Sequence, residues 1–396
     1  MSTLTRADCV ELDAADPLRD LRELFDVDDS LVYLDGNSLG RPPRATRSRI
    51  DELIDDEWAR RLIAGWFESG WMDMPLRTGA VIAQLIGADA DEVVVADSTS
   101  MCLYKLLVAA LRARPGRRVL LTEQENFPTD VHVVAGVANL LADIEVRLVE
   151  RARLLEAIDE SVAVVTLTHV DYRTAAMHDM ATVTAAAHAA GALIVWDLSH
   201  SAGAVSVDVH GADVDMATGC GYKYLNGGPG APAYIHVARR LQDQVTNPFI
   251  GWLGHAEPFT FDIEHRAATG MRGWITGTPP VPAIAALDVA VRILVDAGVE
   301  RLDAKSRSLT ECFIRLADEQ LAGGDVEVIT PRGPGRRGAQ VSLRHEGADE
   351  LIRRLAQRGV VGDFRAPDCC RFGLAPAYTR HVDLWDAVQG LRAVLG

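Results

Sequence analysis

Lysine is nearly missing from this chain of 396 residues. Of 40 basic residues only Lys105, Lys223 and Lys305 are lysines; the others are arginines. Any chemistry that needs an amine nucleophile therefore has three candidates. A basic excess is missing too, since 56 acidic residues against 40 basic ones leave a formal net charge of -16. That balance argues against nucleic acid or an anionic membrane surface as the main partner. No run approaches the roughly 18 uninterrupted apolar residues of a membrane span. The opening MSTLTRADCVELDAADPL has no apolar signal region, so no secretion is expected. The cysteines, at positions 9, 102, 220, 312, 369 and 370, form no CxxC pair and no Cys/His ligand spacing. Neither a zinc site nor a disulfide framework is expected, and a reduced cytoplasmic compartment is the simplest setting.

What is present is regular alternation. At 48% hydrophobic, the chain can fill one large core and a smaller second domain, because single cores stop growing near about 250–300 residues. From residue 76 a helical pattern (76–86) precedes the apolar run EVVVA (92–96). SMCLYKLLVAALRAR leads to RRVLLTE (117–123), and a helix opened by Pro128 leads to VAVVTLTHV (162–170). TVTAAAHAAG ends at Gly191, a helix-terminating glycine, and feeds ALIVW (192–196). Alternation of this kind predicts a mainly parallel sheet covered by helices on both faces. After residue 280 the pattern changes to two long helices, short strands and two further helices, an α+β lobe. The expected division is a large α/β domain over 60–280 and a small α+β domain from 1–59 with 281–396.

Four elements carry possible chemistry. Lys223 lies in ATGCGYKYLNGGPGAPAY, a glycine-dense loop where an amine without a role is costly to bury. By contrast Lys105 is on a helical stretch, and Lys305, among Glu300, Arg301, Asp303 and Arg307, reads as a solvated face. Local context leaves an exposed loop lysine equally open for Lys223. Asp197 ends the strand ALIVW, the sheet edge where α/β folds bind ligands; it could equally be a capping aspartate. His200 follows three residues on, although a lone histidine is more often structural. DSTSM (97–101) follows a strand and offers Thr99 and Ser100 at a helix start, a cup for phosphate or an ordinary N-cap. ENFPTD (125–130) follows another strand, with Phe127 able to stack on a flat ring and Thr129 and Asp130 able to bond its substituents. Together, in the order cup, plate, strand-end acid and amine, these are the parts of a pyridoxal 5′-phosphate site. No metal is called for.

These residues resemble the aspartate-aminotransferase-like (fold-type I) pyridoxal-phosphate enzymes, and within them the kynureninases, which implies a large domain built on a mainly parallel seven-stranded-type sheet. The similarity runs through YLDGNSLGRPP (33–43), ENFPTD, THVDYRTAAMHDM (168–180), WDLSHSAGA (196–204), GCGYKYLNGGPGAP (219–232), GWLGHAEPF (251–259) and RGWITGTPP (272–280). It implies that Lys223 forms the Schiff base with the cofactor, that Asp197 pairs with its ring nitrogen and that Phe127 stacks on it. Thr99 and Ser100 fall on the phosphate-binding turn, Thr168 lies beside the ring, and Tyr222 touches the phosphate and relays protons. Trp252 and Thr278 match positions that reach the cofactor of a neighbouring subunit, which implies a homodimer with shared active sites. Arg371 matches the arginine that binds the substrate α-carboxylate, with Asn37, Trp66 and Thr278 also on the substrate side. The implied reaction is hydrolysis of L-kynurenine to anthranilate and L-alanine, in the kynurenine pathway of tryptophan catabolism. Thr278 and Trp66 favour L-kynurenine over 3-hydroxykynurenine. One departure is Ala175, where the family more usually has glycine. The nearest competing readings are a cysteine desulfurase or selenocysteine lyase, for which Cys369 and Cys370 are the candidate thiols, and a cofactor-binding scaffold without catalysis. The desulfurases usually place histidine before the lysine, where this chain has Tyr222.

Overall fold

The structure, a computed structural model, describes residues 3–141, 143–323 and 325–396. The chain opens with helix α1 (Arg6–Ala15) and strand β1 (Val32–Tyr33), then helices α2 (Ala45–Glu52), α3 (Gly65–Glu68) and α4 (Met74–Ile86). Alternation follows: β2 (Val93–Ala96), α5 (Thr99–Arg112), β3 (Val119–Glu123), α6 (Pro128–Leu140), β4 (Glu145–Val149) and α7 (Leu154–Ala157). It continues through β5 (Val162–Thr168), α8 (Met180–Ala189), β6 (Leu193–Asp197), β7 (Met216–Gly219) and β8 (Ala233–Val237). Two long helices, α9 (Val281–Ala297) and α10 (Val299–Gln320), lead to β9 (Glu327–Val328), β10 (Gln340–Arg344) and α11 (Ala348–Ala356). The chain ends with β11 (Val360–Val361), β12 (Asp363–Arg365), β13 (Cys369–Gly373) and α12 (His381–Leu395).

The large sheet has the order β2-β8-β7-β6-β5-β3-β4, and only β8 runs against its neighbours. The expected mainly parallel seven-stranded sheet is therefore present. Its strands are apolar on both sides because both faces are covered. Val93, Val95, Ile194 and Trp196 join one core with α4 and α9, while Val94, Val164, Val195 and Met216 join the other with α5. Helix ends follow their sequence signals. Asp179 accepts a bond from Thr182 N to open α8, and Gly191, at φ 77°, takes the left-handed turn beyond its end.

A third core fills the other lobe. α1 packs along α12, β1 pairs in parallel with β11, and the antiparallel sheet β12-β13-β10-β9 lies among α10, α11 and α12. α2 lies instead on α9, whose Ile284, Leu287 and Val291 belong to the large-sheet core. The expectation that Lys305 is solvated is overturned. It is buried on α10 and pairs with Asp16 at 2.7 Å. Lys305 shares the stripe Leu302, Leu309, Cys312 and Leu316, so helical spacing places it inward while Glu300 and Arg307 face away. Lys105 is fully buried as well, bonded to Asp97 (2.5 Å) and to the carbonyl of Trp274 (3.1 Å).

Ala175 has φ 65° and is fully buried, in the loop where Gly338 N bonds its carbonyl. An L-residue in this region carries about 1–2 kcal/mol of strain that glycine avoids, at some cost in chain entropy. Ala175→Gly is expected to raise unfolding free energy by roughly 0.5–1 kcal/mol in urea titration; a lowered midpoint would contradict this. A second expectation concerns His169, whose ring packs on Trp196 and whose Nδ1 lies 2.9 Å from Ser201 Oγ. Burial first, and the His178 charge second, lower its pKa to about 3. The unfolded imidazole takes its proton near about 6.5, so its contribution is full above that pH and is lost as pH falls toward the native value. Comparing urea midpoints at about pH 7.5 and about pH 5 should show a smaller acid loss in His169→Asn than in the unaltered chain. Equal losses would remove His169 from the account.

Candidate active site

Because β2, β3, β5, β6 and β7 run the same way, their carboxyl ends open on one edge of the sheet. There the chain forms a cavity of about 220 Å³ lined by Thr99, Ser100, Phe127, Thr129, Asp130, Thr168, Tyr172, Asp197, Ser199, His200, Tyr222 and Lys223. Ten of these are the residues singled out in the sequence. Tyr172 and Ser199 were missed, although each stands inside a motif block. Tyr172 meets Phe127 edge-to-face, with ring centroids 5.2 Å apart, and Ser199 N bonds Asp197 Oδ1 at 2.7 Å.

Lys223 is placed by a tight loop in which Asn226 N bonds the Lys223 carbonyl (2.9 Å) and Asn226 takes φ 57°. The YLDGNSLG segment closes on this loop. Gly40 N bonds the Tyr222 carbonyl at 2.8 Å, and a Cβ at Gly40 would collide with Lys223 O and Asn226. Lys223 Nζ lies 2.9 Å from His200 Nε2 and 5.6 Å from the centre of the Phe127 ring. Burial, and then the Lys223 charge, hold the His200 pKa well below its ordinary value. His200 is therefore neutral, with Nε2 accepting from the Lys223 nitrogen and Nδ1 carrying hydrogen; that buried Nδ1 has no partner among the described residues.

Asp130 and Asp197 are both buried in this cavity. Burial, and then the Asp197 charge, push the Asp130 carboxyl well above its ordinary range. Thr168 Oγ1 lies 3.2 Å from Asp130 Oδ2 and 2.5 Å from Asn126 Oδ1, tying the two strand ends together. Tyr222 is pushed up to about 12, by burial first and by Cys220 second, so its hydroxyl keeps its proton. At the other end, the first-turn amides of α5 at Thr99 and Ser100 have no partner within the helix. These parts fit a flat, phosphorylated, protonated pyridine. The carboxylate pair is short of a cation, the helix start is suited to an anion, and Phe127 offers a ring face.

The remaining expected residues lie outside this cavity. Arg371 is buried behind it, its Nη1 donating to the Tyr172 carbonyl (2.8 Å) and its Nε and Nη2 to Asp363 (2.7 and 2.5 Å). In the orientation that satisfies both amide atoms, Asn37 accepts from Arg371 Nε at 3.0 Å. Trp66 is half-buried against Trp71, while Trp252 and Thr278 are exposed. Cys369 and Cys370 are buried in β13, their thiols turned to the carbonyls of Arg173 and Ala348.

Comparison with known proteins agrees with this geometry. Solved structures with the same fold include an apo cysteine desulfurase from Thermococcus onnurineus NA1 (TM-score 0.81, 16% identity, 95% of this chain and 97% of that one). Another is the cysteine desulfurase CsdA from Escherichia coli (TM-score 0.78, 18% identity, 96% and 98%). These likenesses establish the aspartate-aminotransferase-like fold and nothing finer. The family model described as the kynureninase C-terminal domain matches residues 302–391. Kynureninase of Deinococcus radiodurans is 46% identical over 389 residues, spanning 97% of this chain and 95% of that protein. Kynureninase of Pseudomonas fluorescens is 44% identical over 397 residues, spanning 99% and 95%. With that identity along nearly its whole length, the chain belongs to the kynureninase family.

Proposed function

We propose that this protein is a pyridoxal-phosphate-dependent hydrolase that cleaves the Cβ–Cγ bond of L-kynurenine, with water, to give anthranilate and L-alanine. The observation that carries the reading is the meeting of an amine, a strand-end carboxylate, an aromatic plate and a helix start in one cavity, in a chain of this family. The bound cofactor supplies a carbonyl for amines and a ring that withdraws electrons from the substrate's Cα. Thr99 and Ser100 would hold its phosphate, Asp197 its ring nitrogen, and Thr129, Asp130 and Thr168 its ring substituents. Phe127 would cover one face and His200 would lie beside it.

Lys223 then has two tasks, to hold the cofactor and to take the Cα proton of the substrate. His200, neutral and 2.9 Å away, accepts from the lysine amine without adding a second positive charge. Tyr222, protonated at neutral pH, is the donor and relay beside it. Arg371 supplies positive charge for the α-carboxylate, with Asn37 bridging to it. The water oxygen ends on the anthranilate carboxyl, one water proton ends on Cβ of the alanine, and the other is released as the anthranilate carboxyl ionises. L-Kynurenine, rather than its 3-hydroxy form, is the proposed substrate, with Trp66 and Thr278 on the aryl side. Tryptophan breakdown and anthranilate supply are both consistent pathways.

The large domain over 60–280 carries the cofactor residues in this reading. The small domain, from 1–59 with 281–396, carries the carboxylate-binding arginine. A homodimer is proposed, supported by an exposed aromatic set in which Phe259 meets Phe67 at 5.3 Å and Trp252 at 5.8 Å. Trp252 and Thr278 would reach the cofactor of the second copy. Among the described residues no helix is long and apolar enough to cross a membrane; a cytoplasmic location is proposed.

Purified protein loaded with cofactor should release fluorescent anthranilate from L-kynurenine, and Lys223→Ala should abolish steady turnover; full activity in that variant would sink the mechanism. Tyr222→Phe is expected to lower kcat by about 10²–10⁴-fold with KM little changed, the range for loss of general acid–base help. A kcat within threefold of the unaltered enzyme would assign proton relay elsewhere.

A further inference from the structure

Arg371 has five N–H donors, and four are taken within the protein. Nε and Nη2 make a fork with Asp363 (2.7 and 2.5 Å), Nη2 also donates to Ser38 Oγ (2.8 Å), and Nη1 donates to the Tyr172 carbonyl (2.8 Å). The fork is fixed by sheet register, because Asp363 on β12 stands directly opposite Arg371 on β13. It is a permanent cross-strand pair, and Arg371 is only 2% exposed in its side chain. A substrate carboxylate therefore finds one free hydrogen on Arg371, whereas a bidentate grip needs two.

Two residues along β12 from Asp363, on the same face of that strand, stands Arg365. Its Nη2 donates to Asp363 Oδ2 (2.7 Å) and lies 3.4 Å from Ser38 Oγ. Its Nη1 has no partner among the described residues, and its Nε is buried without one. A buried donor in that condition carries a desolvation cost that an anionic oxygen would remove. The side chain is 37% exposed, so a ligand can reach it where it cannot reach the body of Arg371. Both guanidinium groups act on the cavity wall. His200 is lowered chiefly by burial, and among charges by Lys223, Arg371 and Arg365.

We infer that Arg365 is a second substrate-binding arginine, donating to the α-carboxylate of the amino-acid substrate, while Asp363 fixes Arg371 beside it with one hydrogen left to offer. Asp363 is thereby a positioning residue. The inference rests on the proposed kynurenine hydrolysis for its substrate, and it deepens that reading by dividing carboxylate recognition between two arginines.

The test compares the holoenzyme with Arg365→Ala and Arg365→Lys, using L-kynurenine turnover, inhibition by L-alanine, and inhibition by the decarboxylated analogue of kynurenine. Arg365→Ala is expected to raise KM for L-kynurenine at least about tenfold, the scale of a lost charge-assisted hydrogen bond, with kcat within about twofold. Inhibition by L-alanine should weaken by a similar factor and inhibition by the decarboxylated analogue should not change. Arg365→Lys should recover part of the loss. An unchanged KM, a fall in kcat alone, or equal weakening of the decarboxylated analogue would overturn the inference. Absence of L-kynurenine turnover in the unaltered enzyme would instead sink the proposed activity, and cofactor-absorbance titration with L-alanine would still decide whether Arg365 reads a carboxylate.

Discussion

Two buried carboxylates facing one lysine set the terms on which this active site works. Burial, and then the charge of the neighbouring Asp197, push the Asp130 carboxyl well above its ordinary range. His200 cannot relieve the imbalance, because burial keeps it neutral. In the proposed function, a protonated ring nitrogen supplies the positive group between the acids and the aromatic plate. The sheet is the frame for this electrostatic demand. It brings five strand ends to one edge, and both of its faces are sealed by apolar helices.

The small number of lysines acquires a physical meaning once their surroundings are known. Lys305 is locked to Asp16 in a buried pair that costs heavily to break, and the buried Lys105 is held by the partly exposed Asp97 and the Trp274 carbonyl. Among the described residues, Lys223 is the lysine held against a neutral partner, with no carboxylate on its nitrogen. That difference separates the proposed Schiff-base lysine from the other two, and lysine counts in the sequence do not reveal it.

Much of the site was legible because its residues follow apolar strands directly. Thr99, Phe127, Thr168 and Asp197 all come within a few residues of a strand end, and because β2, β3, β5 and β6 point the same way, those ends share one edge of the sheet. Lys305 was misjudged because its charged neighbours in sequence occupy the opposite helix face; counting by threes and fours from Leu302 would have placed it inward. Tyr172 carried no separate signal, since it lies in a loop whose path depends on Ala175 in the left-handed region. The Asp363–Arg371 fork was hidden for a different reason. It depends on the register of two short antiparallel strands, and strand register is not written in local composition. Arg371 could be matched to a role from its motif, but the prior claim of Asp363 on its donors could not be read there.

The central claim is that Asp197 maintains a positive ring nitrogen in the cavity. Nitrogen-15 NMR of ring-labelled cofactor bound to the unaltered protein and to Asp197→Asn tests it directly. The account expects the ring nitrogen to be protonated at neutral pH in the unaltered protein and unprotonated in the variant. A ring nitrogen unprotonated in both, or protonated equally in both, would contradict it.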